Sequence, residues 1–253
     1  MIPAAKSKPF NRMFYLYNQY YLLHRRFRSF TLSGTLDPQF DGKAVSPIDP
    51  SRPVLYFMNH SSWWDGLLLY HASRRTSVGD HYVMMEERQL QQYAFFRKLG
   101  AYSINKESAS AIRKTMQYTT GLLQSGKRVW IFPQGEILHQ DARPIRFRPG
   151  IGLLLRRSPQ TLAVPVTLCH GMVQHDMPEI SMLAGAPVIE DWSVWKSEEI
   201  AARLGQVLEE QLDEHKSQLV RIGQGSLPGA VSLIRNGRST SEKYDAARKR
   251  GGR

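Results

Sequence analysis

The chain holds a single cysteine, Cys169, among 253 residues. A disulfide within one chain is therefore excluded, and reduced, cytosolic surroundings are compatible with the sequence. Cys169 sits in an apolar run and reads as a small buried hydrophobe. A spanning apolar segment is missing near the N-terminus. A bilayer helix needs about 20 residues, and the uncharged run from Met13 to His24 is shorter. It also lacks the small-residue cleavage site of a signal peptide. Ser61 and Ser62 lack a Gly-x-Ser-x-Gly elbow, so neither is expected to be a nucleophile. His24, His71, His81, His139, His170, His175 and His215 show no metal-ligand spacing, so no metal is expected. His170 and His175 lie five apart, a chance pattern for a loop. No internal repeat and no nucleic-acid motif appears.

Acid is scarce at both ends. Residues 1–30 hold Lys6, Lys8, Arg12, Arg25, Arg26 and Arg28 and no carboxylate. Residues 235–253 hold seven basic side chains against Glu242 and Asp245. The formal charge of +12 therefore belongs to the termini, and the chain between them is nearly neutral. Basic ends attract an anionic surface, lipid or nucleic acid. The missing nucleic-acid motif and the aromatics of the first segment favour lipid. Phe10, Met13, Phe14, Tyr17, Tyr20, Tyr21 and Phe27 recur near helical spacing, widened by Leu16, Leu22 and Leu23. Aromatics flanked by arginine suit the headgroup boundary. The spacing predicts an in-plane interfacial helix over 9–30. The competing reading is a stripe packed on the rest of the protein.

Past residue 30 the chain divides into a Pro/Gly-rich connection over 31–52, a folded domain over 53–220 and a basic tail over 221–253, expected to be mobile. Within the domain, strands and helices alternate. Val54–Met58, His81–Met85, Ala101–Ile104, Arg128–Phe132 and Leu162–Leu168 read as strands. A helix follows Asp65, another ends near Gly100, and a third starts at the cap Ser108 and stops at Gly126. Ser197 opens a helix with Ile200, Leu204, Val207, Leu208 and Leu212 on one face. The alternation predicts an α/β fold: a mixed, largely parallel sheet flanked by helices, preceded by the amphipathic N-terminal anchor.

The segment with the most chemistry is Asn59-His60-Ser61-Ser62-Trp63-Trp64-Asp65, directly after the first of those strands. Histidine ionises near neutrality. A carboxylate on its other ring nitrogen fixes the tautomer and stabilises the imidazolium. A helix turns once in about 3.6 residues, so positions five apart point to different faces of a regular helix. A turn at the strand-helix junction is needed to bring Asp65 back to His60. Trp63 and Trp64 either line a channel or pack in the core.

The pattern Asn59-His60-x-Ser62-x-x-Asp65 resembles the first motif of the glycerolipid acyltransferase superfamily. Later segments follow in that family's order. Gly100–Lys106 is similar to its second motif, with Lys106 where arginine is usual. Leu123-x-x-Gly126 through Phe132-Pro133-Gln134-Gly135-Glu136 resembles the third, followed by Phe147-Arg148-Pro149-Gly150. Val164-Pro165-Val166 resembles the fourth, and Gly185-Ala186-Pro187 a turn near the domain end. The resemblance implies an O-acyltransferase that moves a fatty-acyl group from coenzyme A or acyl-carrier protein to a lipid hydroxyl, at the cytoplasmic face of a membrane and without a cofactor. His60 is then the general base and Asp65 its orienter. Lys106, Gln134, Gly135, Glu136 and Arg148 are the expected substrate-binding residues, with backbone N–H groups near Gly135 as candidate oxyanion donors. The third motif departs from the usual Phe-Pro-Glu-Gly-Thr-Arg. Gln134 carries no charge, and Ile137 stands where a phosphate-binding arginine is expected. Glu136 repels phosphate. The expected acceptor is either a lysophospholipid or, on these departures, a neutral or glycosylated lipid. A non-catalytic lipid-binding protein is the alternative.

Overall fold

A computed structural model describes residues 1–40 and 48–235, with Thr240, Tyr244, Arg248 and Lys249 beyond. The loop expected around Asp41-Gly42 and Pro47, and most of the basic tail, lie outside the described residues.

The central strand is β2 (Val54–Met58), and all five of its residues are buried. It runs parallel to β5 (Arg128–Ile131) on one side and β6 (Leu162–Gly171) on the other. A strand with neighbours on both edges and helices on both faces has no polar side, so its apolar run is continuous. Outward from β5 lie β3 (His81–Glu86) and β4 (Ala101–Ile104), again parallel. Beyond β6 the sheet turns mixed. β7 (Glu179–Ala184) is antiparallel to β6, β1 (Ser29–Ser33) is parallel to β7, and the short β8 (Val231–Ser232) closes the edge antiparallel to β1. The described sheet thus has the order β4-β3-β5-β2-β6-β7-β1-β8.

Side chains alternate across the sheet. Val54, Tyr56 and Met58 face a core with Trp130, Val164, Val166 and Leu168. That core is covered by α3 (Asp65–Thr76) through Leu68, Leu69 and Ala72 and by the N-terminal segment through Leu23 and Phe27. Leu55 and Phe57 face the opposite core, with Val129 and Ile131. There α5 (Ala109–Gln124), α6 (Gly150–Arg157) and α7 (Ser197–Ile222) supply Leu123, Leu155, Leu204, Leu208 and Leu212. Each buried leucine contributes about 1.5–3 kcal/mol relative to exposure. Gly152 lets α6 meet the start of α7; a Cβ there would lie 2.1 Å from the Ser197 carbonyl oxygen.

Several boundaries agree with the sequence reading. Ser108 caps α5, its Oγ accepting from Ala111 N–H at 3.2 Å, and α7 starts at Ser197. Others need correction. The predicted helix over 9–30 is α1 (Lys8–Tyr17), a π-turn over Asn18–Leu22 and α2 (Leu23–Arg26). Phe27 is already extended, and β1 occupies part of the expected connection. The helix expected to end near Gly100 is α4 (Glu87–Gln92) followed by a 3-10 turn over Ala94–Leu99. Part of the expected mobile tail is ordered, with Leu227, Leu233 and Ile234 buried. Among the described residues no helix is long and apolar enough to cross a membrane.

Candidate active site

The C-terminal ends of β2, β5 and β6 lie side by side, so the chain segments leaving them converge. Crevices beyond such strand ends are the usual ligand sites of open α/β sheets. Asn59 follows β2 and binds β6 at both ends of its carboxamide: Nδ2 donates to the Leu168 carbonyl at 2.9 Å, and Oδ1 accepts from Leu168 N–H at 2.8 Å. This fixes the point at which the chain leaves the sheet. His60 comes next. Its N–H donates to Gln134 Oε1 at 2.9 Å, and its carbonyl accepts from Leu138 N–H at 2.9 Å. Its ring stacks on Phe132, with centroids 4.2 Å apart. The segment after β5 thus clips the histidine by backbone and ring alike.

Residues 61–64 form a turn, and Asp65 begins α3. The turn returns the Asp65 carboxylate to His60: Nδ1 and Oδ2 are 2.9 Å apart. Oδ2 also accepts from Ser61 and Ser62 N–H at 2.8 and 2.9 Å. The carboxylate therefore organises the turn that places it. Its side chain is 0% exposed, whereas the His60 ring is 18% exposed.

A residue from far along the chain completes the group. His170, at the end of β6, places Nε2 2.9 Å from Asp65 Oδ1. Its backbone is gripped by Gln140, whose amide donates to the His170 carbonyl and accepts from its N–H, both at 3.1 Å. In the sequence His170 reads only as half of a chance pair with His175; the structure makes it a neighbour of Asp65. A signal was available, since the apolar run Leu162–Leu168 sends residue 170 to the same end of the sheet as His60. Burial pushes the Asp65 carboxyl up, but the hydrogen bonds and charges of His170 and His60 outweigh it. The group stays below the ordinary carboxylate range. An ionised carboxylate only accepts, so both facing imidazole nitrogens carry hydrogen. His60 then presents Nε2 as its free lone pair, and Nε2 has no hydrogen bond to a described residue.

His60 opens onto a cavity of about 470 Å³. One part of the lining is apolar: Val83, Met84, Met85, Phe96, Ile104, Met116 and Leu154. Another part is polar, with Glu86, Gln89, Lys106, Glu136 and Arg148. Ile137 lines it as well, 45% exposed. Trp63 lies at the cavity, 49% exposed. Trp64 turns inward and meets Phe27 edge-on, so one tryptophan of the pair belongs to the cavity and the other to the core.

The remaining sequence candidates fall into place unevenly. Lys106 donates to the Gly135 carbonyl and lies 3.6 Å from Glu86. Arg148 lies against Gly135, whose φ of +82° suits glycine; a Cβ there would be 2.6 Å from Arg148 Nε. Gly135 N–H is engaged by the Phe132 carbonyl at 3.0 Å, which removes it from the candidate oxyanion donors. Gln134 is buried and does not line the cavity. Its carboxamide oxygen is taken by His60 N–H, so it reaches the site through the histidine. Arg143 pairs with Asp213 on α7. Burial pushes the Cys169 thiol up to about 12, which makes it inert as a nucleophile. Among the described residues no group of three or more His, Cys, Asp or Glu is arranged to hold a metal.

A strand-end histidine backed by a buried carboxylate, beside a partly apolar cavity, is suited to deprotonate a hydroxyl during group transfer. The class this arrangement fits is an enzyme that activates a hydroxyl beside an apolar-lined cavity. The family model described as Acyltransferase matches residues 39–169, just over half the chain, and the chain belongs to that family, the glycerolipid acyltransferases. It is an acyltransferase whose family acts on lipid acceptors. Comparison with curated proteins finds no match.

Proposed function

We propose that this enzyme transfers a fatty-acyl group from a thioester to a hydroxyl of a neutral lipid acceptor, with His60 as general base and Asp65 as its orienter. The observation that carries the proposal is the 2.9 Å contact between His60 Nδ1 and Asp65 Oδ2 on a ring that opens to the cavity. An alcohol is a poor nucleophile. His60 Nε2 takes its proton as the oxygen attacks the thioester carbonyl. Asp65 stabilises the imidazolium that forms. The tetrahedral oxyanion collapses, the C–S bond breaks, and the thiolate leaves. A thiol ionises at about pH 8.5, so the leaving group needs little acid, and the imidazolium returns its proton to it. No covalent acyl-enzyme is required. Coenzyme A and acyl-carrier protein present the same thioester, and either suits this chemistry.

The acyl chain fits the apolar part of the cavity. For the acceptor, charge is the guide. Lys106 and Arg148 are matched by Glu86 and Glu136 around the rim. Lys106 is turned to a backbone carbonyl and to Glu86, and Ile137 occupies the third-motif position where the family resemblance leads one to expect arginine. A phosphate dianion there would meet two carboxylates; a neutral or glycosylated hydroxyl meets a set of donors and acceptors. This favours the neutral acceptor over a lysophospholipid.

The N-terminal segment suits peripheral membrane binding at the cytoplasmic face. Phe10 and Phe14 pack inward on Phe95, and Phe14 meets Tyr70 edge-on. Met13, Leu16, Tyr17, Tyr20 and Tyr21 remain exposed, Tyr20 by 68%. An apolar, aromatic face bordered by arginines belongs at a headgroup boundary. Ring contacts run from Phe14 through Phe95, Phe96 and Tyr93 to Trp63 at the cavity, so this face and the cavity share one rigid support.

The test is acyl transfer from a radiolabelled thioester to a panel of lysophosphatidic acid, glycerol 3-phosphate, other lysophospholipids and neutral glycolipids. Label is expected in the neutral products, and His60→Ala should abolish it. A clear preference for lysophosphatidic acid would overturn the acceptor assignment.

A further inference from the structure

We propose that His170 is a positioning residue for the acyl transfer: by donating from Nε2 to Asp65 Oδ1 it holds the carboxylate in the orientation and charge state that His60 needs. The proposal rests on His60 acting as the base.

A carboxylate offers about four acceptor sites. On Oδ2 three donors converge, from His60 Nδ1, Ser61 N–H and Ser62 N–H. On Oδ1 there is one, His170 Nε2 at 2.9 Å. Asp65 is fully buried, so an acceptor left empty there carries a desolvation cost of about 1–3 kcal/mol. The carboxyl would meet that cost by rotating or by taking a proton. Either response weakens its hold on the imidazolium. His170 removes the need for both.

His170 is itself held in place. Gln140 fixes its N–H and carbonyl. The same stretch after β5 fixes His60, through Gln134 and Leu138. One segment, residues 134–140, therefore sets both imidazoles about a single carboxylate. Preorganisation of this kind reduces the reorganisation needed as charge develops. The family match ends at Cys169, so His170 lies one residue beyond the span that defines the family.

The experiment compares His170→Ala, His170→Gln and His60→Ala in steady-state acyl transfer. Glutamine keeps an N–H donor at nearly the position of Nε2 but cannot titrate. Misplacing a catalytic group by about 1 Å can cost about a hundredfold. His170→Ala is expected to lower kcat by about tenfold to a hundredfold on that basis, with KM for the thioester nearly unchanged. His170→Gln should recover most of the loss, and adding His170→Ala to His60→Ala should lower the residual rate no further. An unchanged kcat in His170→Ala, or an effect on KM alone, would overturn the proposal. So would a folded His170→Gln protein no better than a folded alanine variant. If the alanine variant does not fold, nitrogen-15 NMR of the wild-type His170 ring decides. The Nε2–H tautomer is expected, and the Nδ1–H tautomer would contradict the donation. Full activity in His60→Ala would instead remove the base assignment itself, so the two failures are distinguishable.

Discussion

Histidines meet β6 in two places, and their surroundings differ. At the strand end, His60 and His170 flank the Asp65 carboxylate beside an open cavity. On the sheet-facing side of α7, His215 is fully buried. Its Nδ1 meets Thr167 Oγ1 at 2.8 Å and Cys169 Sγ at 3.6 Å, and its Nε2 meets Ser181 Oγ at 2.8 Å. All these partners are neutral, and burial lowers its pKa to about 4. It stays uncharged at neutral pH and braces β6, β7 and α7 against one another. The difference is the carboxylate. An imidazole among hydroxyls is a polar strut; an imidazole on an aspartate, with its other nitrogen facing a cavity, is placed for the role of base proposed above.

The largest effect should follow from erasing that difference. Asp65→Asn keeps the size but removes the charge, and kcat should fall by about 10²- to 10⁴-fold, measured by thiol release with acceptor present. A loss below tenfold would mean that the carboxylate is mainly a cap for the turn at Ser61 and Ser62. His215→Ala should do the reverse. It leaves Thr167 and Ser181 short of a partner and should cost about 1–3 kcal/mol in denaturant unfolding, with the kcat of the folded fraction unchanged. A drop in kcat without a drop in stability would bring His215 into the catalytic group.

Acid should act on the buried histidines of both cores in a defined window. His71, whose Nε2–H donates to the Leu233 carbonyl at 3.1 Å, is likewise lowered by burial to about 4 from 6.5. Below pH 6.5 the unfolded chain binds protons that buried His71 and His215 do not. Stability should therefore be full above pH 6.5 and fall towards pH 4, by about 1.4 kcal/mol per pH unit for each histidine. Asp65, held below its ordinary value, adds a further loss only as pH falls through the carboxylate range. Urea midpoints across pH 4–8 check this, and a flat profile would contradict the burial of both rings as neutral species. The smallest effect belongs to the surface. Tyr20→Ser should weaken binding to anionic vesicles by about twofold to tenfold and leave turnover of a water-soluble acceptor unchanged.

The parts legible in the sequence share a physical reason. His60 and Asp65 are close along the chain, and the apolar run of β2 shows where the strand ends and the turn begins. Central strands are continuous apolar runs, so β2, β5 and most of β6 could be read, and the edge strand β4 followed from the helices on either side of it. The edges were harder. In β1, beside the short edge strand β8, Ser29-Phe30-Thr31-Leu32-Ser33 alternates polar and apolar, but Phe27 also fits helical spacing and draws the expected helix too far. The alternating β7 and the short β8 went unread for the same want of a strong apolar signal. His170 was missed because its partner lies 105 residues away; only the parallel pairing of β2 and β6 brings the two strand ends together. Gln134 was expected to meet substrate, yet its oxygen clips the His60 backbone, a contact that likewise depends on neighbouring strands ending level.

The most direct test places His60→Ala and His215→Ala in one assay, acceptor-dependent release of thiol from an acyl thioester, with folding checked by circular dichroism. Near-complete loss of turnover is expected in the first and wild-type kcat in the folded fraction of the second. Substantial turnover in a folded His60→Ala protein would contradict the assignment of His60 as base.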